Sequence, residues 1–227
     1  MFFNDFMFDI TESLNFSVMK ARYSLSLLLI VLLICSCKKG KANFVVRGTL
    51  TDLTFSKNLS GATVKLYQVP VASAQEQLLQ TITSGEDGSF SFTFPRDKME
   101  KYVLKISKQG YFDIQKDVYF SELTIEEDNV RNYATTAKSW VKLRFINTIP
   151  SFSDHLRYIK QLGKVDCQDC CSKDEQNYFG ALDTAIYCVN DANTNYSYYY
   201  WIIGTPSQGL KSAYTTPFDT AEILLEY

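Results

Sequence analysis

Residues 89–94 read Ser-Phe-Ser-Phe-Thr-Phe. Phe90, Phe92 and Phe94 share a face, with Ser89, Ser91 and Thr93 opposite, only when the side-chain period is two, as in a strand. The same alternation recurs along the chain. Ala62, Val64 and Leu66 oppose Lys65 and Tyr67; Tyr102, Leu104 and Ile106 line up; Val141, Leu143 and Phe145 turn inward. Near the last residue, Ala221, Ile223, Leu225 and Tyr227 alternate with Glu222, Leu224 and Glu226. Gly48 inside the first run marks a bulge or a close approach. Asp87-Gly88 is a strong turn pair, and Asp87 is read as a turn former in preference to a calcium ligand. Short strands at roughly ten-residue spacing, separated by glycine turns, predict an all-β fold of sandwiches. An aromatic content of 15% agrees with that. Two β-sandwich domains are expected, over 43–135 and 136–227, with the polar stretch 124–139 as a linker or sheet edge between them. One helix is expected, over 154–163, with Leu156, Ile159 and Leu162 on one face and Gly163 ending it.

The chain before residue 43 has a different character. Residues 23–34 are apolar over about a dozen positions, against the roughly twenty that a membrane-spanning helix needs. Lys20 and Arg22 precede the run and small residues follow it, the proportions of a secretory signal. Asp5, Asp9 and Glu12 put acidic charge where a signal has none, so translation is expected to start at Met19, with residues 1–36 comprising an upstream extension and the signal. The exit Ile34-Cys35-Ser36-Cys37 resembles the lipobox of bacterial lipoproteins. The resemblance implies that Cys37 carries a diacylglycerol and that 37–42 is a lipidated tether. Each buried acyl methylene contributes ~0.8 kcal/mol to membrane holding. The expected location is the cell envelope, as an outer-membrane lipoprotein facing the periplasm or the surface, with the membrane as one partner.

Six cysteines are present. Setting aside Cys35 and Cys37, Cys167, Cys170, Cys171 and Cys188 remain. An even number in an exported chain predicts two disulfides, and all three pairings stay open. A structural zinc site usually brings two separated Cys-x-x-Cys pairs, and there is one here; no metal and no cofactor are expected. A redox-enzyme Cys-x-x-Cys opens a helix in a βαβ pattern, which this polar loop lacks. The bridges are expected to pin a long loop to the strand around Cys188.

Gly48-x-Leu50-x-Asp52, Gly61-Ala62-x-Val64-x-Leu66, Asp87-Gly88-x-Phe90-x-Phe92 and Tyr102-x-Leu104-x-Ile106-x-Lys108-x-Gly110-Tyr111 together resemble a carboxypeptidase regulatory-like domain, over about residues 43–125. The resemblance implies a seven-stranded transthyretin-like Greek-key sandwich and a non-catalytic module. Its pairing with a second sandwich resembles two-domain envelope lipoproteins of unassigned activity.

Basic and acidic residues nearly balance, 23 against 25, so no nucleic-acid partner is expected. His155 is the single histidine. It opens His-Leu-Arg-Tyr, so the metallocarboxypeptidase His-x-x-Glu motif has Tyr158 in place of its glutamate. No glycine-rich phosphate loop occurs. No catalytic residue is assigned, and an enzyme is not expected; a hydrolase would have to rest on a carboxylate pair. In residues 196–201, Tyr196, Tyr198 and Tyr200 share one face and Tyr199 and Trp201 the other. An exposed aromatic row can stack sugars or dock a protein, which makes Tyr198, Tyr199, Tyr200 and Trp201 the candidate ligand-binding residues. The expected function is a non-enzymatic binding or assembly module, an accessory subunit of an outer-membrane complex. Glycan binding is the first alternative and a carboxylate-dependent hydrolase the second.

Overall fold

The alternating runs are strands in the computed structural model, which describes residues 42–73 and 75–227. The expected signal, the expected Met19 start and Cys37, the expected lipidation site, lie outside the described residues. The first nine strands are β1 (Asn43–Asp52), β2 (Lys57–Asn58), β3 (Thr63–Pro70), β4 (Gln77–Thr83), β5 (Ser89–Pro95), β6 (Met99–Ser107), β7 (Ile114–Tyr119), β8 (Asn129–Val130) and β9 (Tyr133–Thr135). Seven more follow: β10 (Lys138–Ile146), β11 (His155–Leu162), β12 (Gln176–Phe179), β13 (Asp183–Asp191), β14 (Thr194–Ile202), β15 (Gln208–Thr215) and β16 (Thr220–Glu226).

In the first sandwich β1 is central to one sheet, with β5 and the short β2 antiparallel to it and β8 and β9 parallel. The facing sheet runs β4-β3-β6-β7. β8 and β9 are two pieces of one edge strand, broken where it passes Gly48: a Cβ there would stand 1.7 Å from the Arg131 carbonyl oxygen. Gly48 is thus a point of close backbone approach, and the polar stretch after residue 124 serves as a sheet edge. Counting that strand once and setting β2 aside gives the seven strands expected of the first sandwich. Phe44, Phe92, Phe94 and Tyr102 fill its core, and the Phe94 and Tyr102 ring centroids lie 4.7 Å apart.

The second sandwich repeats this topology strand for strand, which the sequence reading did not anticipate. β10 takes the place of β1, antiparallel to β13 on one edge and parallel to β16 on the other. The facing sheet, β12-β11-β14-β15, has the same order as β4-β3-β6-β7. Phe145 occupies the centre, 5.1 Å from the Tyr158 ring and 5.6 Å from Tyr198. The helix expected over 154–163 is strand β11, and the spacing of Leu156, Ile159 and Leu162 was misleading. Leu156, Tyr158 and Lys160 are the inward residues. Lys160, only 7% exposed, breaks the apolar alternation. Its ammonium donates to the carbonyl oxygens of Lys164 (2.7 Å) and Cys171, and burial holds its pKa below the usual lysine range.

Both sandwiches belong to one compact unit, Ala42–Tyr227. Where they meet, the Phe218 ring packs 6.2 Å from Phe55 and 5.6 Å from Tyr111. Phe218 approaches Gly110 so closely that a Cβ on Gly110 would lie 2.7 Å from the ring. The Lys138 amide donates to the Gly110 carbonyl (2.7 Å), and the Ala137 amide donates to Thr54 Oγ1 (2.8 Å). Buried Asp52 organises the first sandwich's side of this junction. Its Oδ1 accepts from the Thr54 and Phe55 amides, and its Oδ2 accepts from the Tyr111 hydroxyl at 2.8 Å.

The Tyr111 contact makes the fold sensitive to alkali. Burial first, then the hydrogen bond to Asp52, push the Tyr111 phenol from its ordinary 10.0 up to about 12. Burial, then the charge of Asp97, moves Tyr102 to about 12 as well. The unfolded chain gives up these protons near pH 10 while the folded chain keeps them. Their contribution is therefore full below pH 10 and drains away as pH climbs toward 12. The urea midpoint should fall between about pH 10 and 12, with a shallower fall in Tyr111→Phe; a midpoint independent of pH across that range would contradict this packing.

Candidate functional site

Shared topology lets one sandwich serve as a reference for the other. On the outer face of β4-β3-β6-β7, charged side chains pair across strands. Lys101 meets Asp117 at 2.7 Å, Lys105 meets Glu76 at 2.6 Å, and the Lys105 ammonium lies 5.0 Å over the Tyr67 ring. The outer face of β13-β10-β16 is treated similarly, with Lys142 on Glu222 (3.0 Å) and Arg144 on Asp183. Such exposed pairs contribute little stability, but they keep a surface solvated.

The outer face of β12-β11-β14-β15 is built differently. Strand register sets its rows: Asn177, Arg157, Trp201 and Gln208 lie side by side, and Ile159, Tyr199 and Leu210 form the next row. Phe179 and His155 flank the first row, and Tyr214 lies beyond the second. Phe179 is 69% exposed, Leu210 60% and Tyr214 57%. The rings are organised by contact. Tyr199 tilts onto Trp201 at 4.7 Å, His155 stacks on Phe179 at 4.2 Å, and the Arg157 guanidinium lies 4.6 Å over the indole. Glu175 Oε2 approaches Arg157 Nε at 3.6 Å, beyond hydrogen-bond reach, and this buried Nε has no hydrogen-bond partner among the described residues. The surface is an open sheet, and at one corner Phe179 lines an open concavity with Phe152 and Gly180.

The four candidate residues of the aromatic strand divide by strand parity. Tyr199 and Trp201 stand on the outer face, half-buried. Tyr198 is a correction: it is fully buried, packed on Phe145 and Tyr158, and cannot reach a ligand. Tyr200 also points inward, against the second core. Arg157, Phe179, Leu210 and Tyr214 belong to the face and were missed. Arg157 was placed on a helix, and the others lie on strands whose register only the fold supplies.

The four cysteines form two bridges, Cys167–Cys170 and Cys171–Cys188. The second joins the β11–β12 connection to β13 across a sequence separation of 17, worth about 3 kcal/mol in the chain-entropy picture. The first spans a separation of 3 and is worth about 2 kcal/mol on the same scale. His155 Nε2 lies 2.7 Å from Asn177 Oδ1, a contact that fixes the ring against Phe179. Asp87 Oδ1 accepts from the Ser89 amide at 3.0 Å, the turn role expected of it. Asp154 is held below the usual carboxylate range by Asn147 and the Ser151 amide, which lock a loop.

No family model matches the chain, and no curated protein matches it. Among solved structures it is similar to a streptococcal ancillary pilin, at 12% identity over 82% of this chain and 63% of that one, TM-score 0.34. It is also similar to the shaft pilin SpaA from Lactobacillus rhamnosus GG, at 12% identity over 82% of this chain and 98% of that one, TM-score 0.32. A third likeness is catechol 1,2-dioxygenase from Acinetobacter sp. ADP1, at 11% identity over 45% of this chain and 55% of that one, TM-score 0.33. The chain spans less than two thirds of the ancillary pilin and of the dioxygenase. At these TM-scores nothing about this chain's function follows.

The buried Tyr198 hydroxyl has no hydrogen-bond partner among the described residues, so its contribution is packing alone. Tyr198→Phe should leave the unfolding free energy unchanged or slightly raised, whereas Tyr198→Ala should lower it by about 3–5 kcal/mol. Equilibrium denaturation of both variants checks this; a loss above about 1 kcal/mol in Tyr198→Phe would mean that the hydroxyl is paired.

Proposed function

We propose that this chain is an exported, lipid-anchored envelope protein without catalytic activity, whose second sandwich docks a protein partner through the outer face of β12-β11-β14-β15. The observation that carries the reading is the contrast between equivalent sheets. One outer face sets Tyr67, Leu78 and Tyr119 among lysine–carboxylate pairs, and the other gathers Trp201, Tyr199, Leu210, Tyr214 and Phe179 with no lysine–carboxylate pair among the described residues. Trp, Tyr and Arg are the side chains that dominate binding energy at protein interfaces. A broad, open sheet surface with aliphatic residues among its rings suits another protein better than a small substrate.

The anchoring half of the proposal rests on the signal proportions of residues 19–36 and the lipobox-like exit at Cys37. Two disulfides suit a chain that folds outside the cytoplasm. The first sandwich, proposed to be carboxypeptidase regulatory-like, serves as a spacer between tether and docking face, and the partner belongs to an outer-membrane complex. Glycan binding has one observation in its favour: Asn177 and Gln208 place amides in the same row as the Trp201 ring.

Two measurements test the two halves. Radiolabelled fatty acid should enter the wild-type chain and not Cys37→Ala; equal labelling would end the anchoring claim. Crosslinking in the native envelope should recover a stoichiometric protein with wild type. A Trp201→Ala/Leu210→Ser variant, anchored and folded as before, should recover at least about tenfold less, the scale of losing a buried interface aromatic. Equal recovery, or loss of the partner by competition with free glycans, would overturn the protein-docking reading.

A further inference from the structure

The Cys167–Cys170 bridge has little left to hold. It lies in the β11–β12 connection, residues 163–175, which is longer than the equivalent β3–β4 connection, residues 71–76. That connection is secured in several other ways, among them the Lys164 amide on Asn190 and the Lys164 ammonium on Asp191. Cys171–Cys188 fastens it to β13, and Cys188 is fully buried with its sulfur 3.4 Å from the Tyr196 hydroxyl. The Val189 amide donates to the Asp169 carbonyl at 3.0 Å. The Lys160 ammonium bonds the Lys164 and Cys171 carbonyl oxygens from beneath. Cys171 packs against the second hydrophobic core. Cys167 and Cys170 pack against neither core, and both remain partly exposed. The two bridges are adjacent in sequence yet differ in setting: one is half-exposed at Cys171 and sinks its Cys188 end fully into the sandwich, and the other crosses its own surface turn and ties no distant segment.

We propose that Cys167–Cys170 is a thiol–disulfide exchange site whose co-reactant is an extracytoplasmic dithiol protein, while Cys171–Cys188 is structural and inert. Exchange requires a thiolate to reach a sulfur; both cysteines of Cys167–Cys170 are partly exposed and neither packs on a core, whereas Cys188 is fully buried and Cys171 packs against the core. A thiolate of the dithiol attacks one sulfur of the bridge; the Cys167–Cys170 bond breaks, and the other cysteine leaves as a thiolate that takes a proton from water. The second thiol of the dithiol then attacks the mixed disulfide, loses its proton to solvent and releases the second cysteine. Two electrons have passed: the dithiol is oxidised to a disulfide, and Cys167 and Cys170 are reduced. The reverse sequence recharges the bridge. This proposal is independent of the docking face.

Dithiothreitol is the probe. The folded full chain is treated, quenched with a maleimide and mapped by peptide mass. Cys167 and Cys170 should be labelled at least about tenfold faster than Cys171 and Cys188, because attack rates follow access, with circular dichroism unchanged. Oxidised dithiothreitol should then restore the same Cys167–Cys170 pair. Opening of both bridges together, opening of Cys171–Cys188 first, opening only in denaturant, or re-formation in scrambled pairs would each overturn the proposal. A Cys167→Ser/Cys170→Ser variant provides the second check. It should fold with Cys171–Cys188 intact and leave no fast-labelled thiol in the peptides that cover residues 163–188. Unfolding or mispairing of that variant would show the bridge to be structural, and the proposal would fail.

Discussion

Two long strands with strict side-chain alternation, β1 and β10, govern the described unit. Each is hydrogen-bonded on both edges, antiparallel on one and parallel on the other. A slip of one residue in β10 would carry Phe145 to solvent and Arg144 into the core, so register is fixed by the free energy of an entire face rather than by any one contact. With β10 in place, β13 and β16 take their positions from it, and the facing sheet closes over Phe145. The same holds for β1, with Phe44 and Val46 inward. The tandem topology is one solution to one constraint, used twice.

The junction follows from this arrangement. β9 ends at Thr135 and β10 begins at Lys138, so the chain leaves one sandwich and enters the next with scarcely any connection to spare. Asp52, Tyr111, Gly110 and Phe218 fill the space between. Phe218 adopts a left-handed backbone with φ of 64°. A bulky side chain holds that conformation at a cost of order 1–3 kcal/mol, and only where the surrounding packing over-determines it. Stacking on Phe55 and an edge contact with Tyr111 provide that packing. Outer faces are under no such constraint, and this is where the two sandwiches differ most.

Much of the architecture was legible in the sequence because alternation is a direct physical signal: the Phe90, Phe92, Phe94 run is buried as read. The failure at β11 has an equally direct cause. Burying Lys160 replaces an apolar residue in the alternating pattern with a charged one, and the remaining Leu156, Ile159 and Leu162 imitate helical spacing. Only the loop carbonyls that receive its ammonium make the inward lysine tolerable, and those carbonyls are a tertiary fact. Tyr198 was illegible for a related reason: tyrosine suits both a core and a surface, and strand parity does not say which face is inside. Disulfide pairing depends on which strand the β11–β12 connection crosses, and spacing does not encode that. The repeat itself is carried by topology, without a shared motif in the two halves to reveal it.

The central claim is that the aromatic face of the second sandwich, and no other face of that sandwich, meets a protein partner. A photo-crosslinking amino acid placed at Leu210, on that face, and separately at Tyr187, exposed on the opposite sheet, tests it in the native envelope. A discrete protein adduct from position 210 and none from position 187 is the predicted result. Adducts of equal yield from both positions, or from 187 alone, would contradict the account.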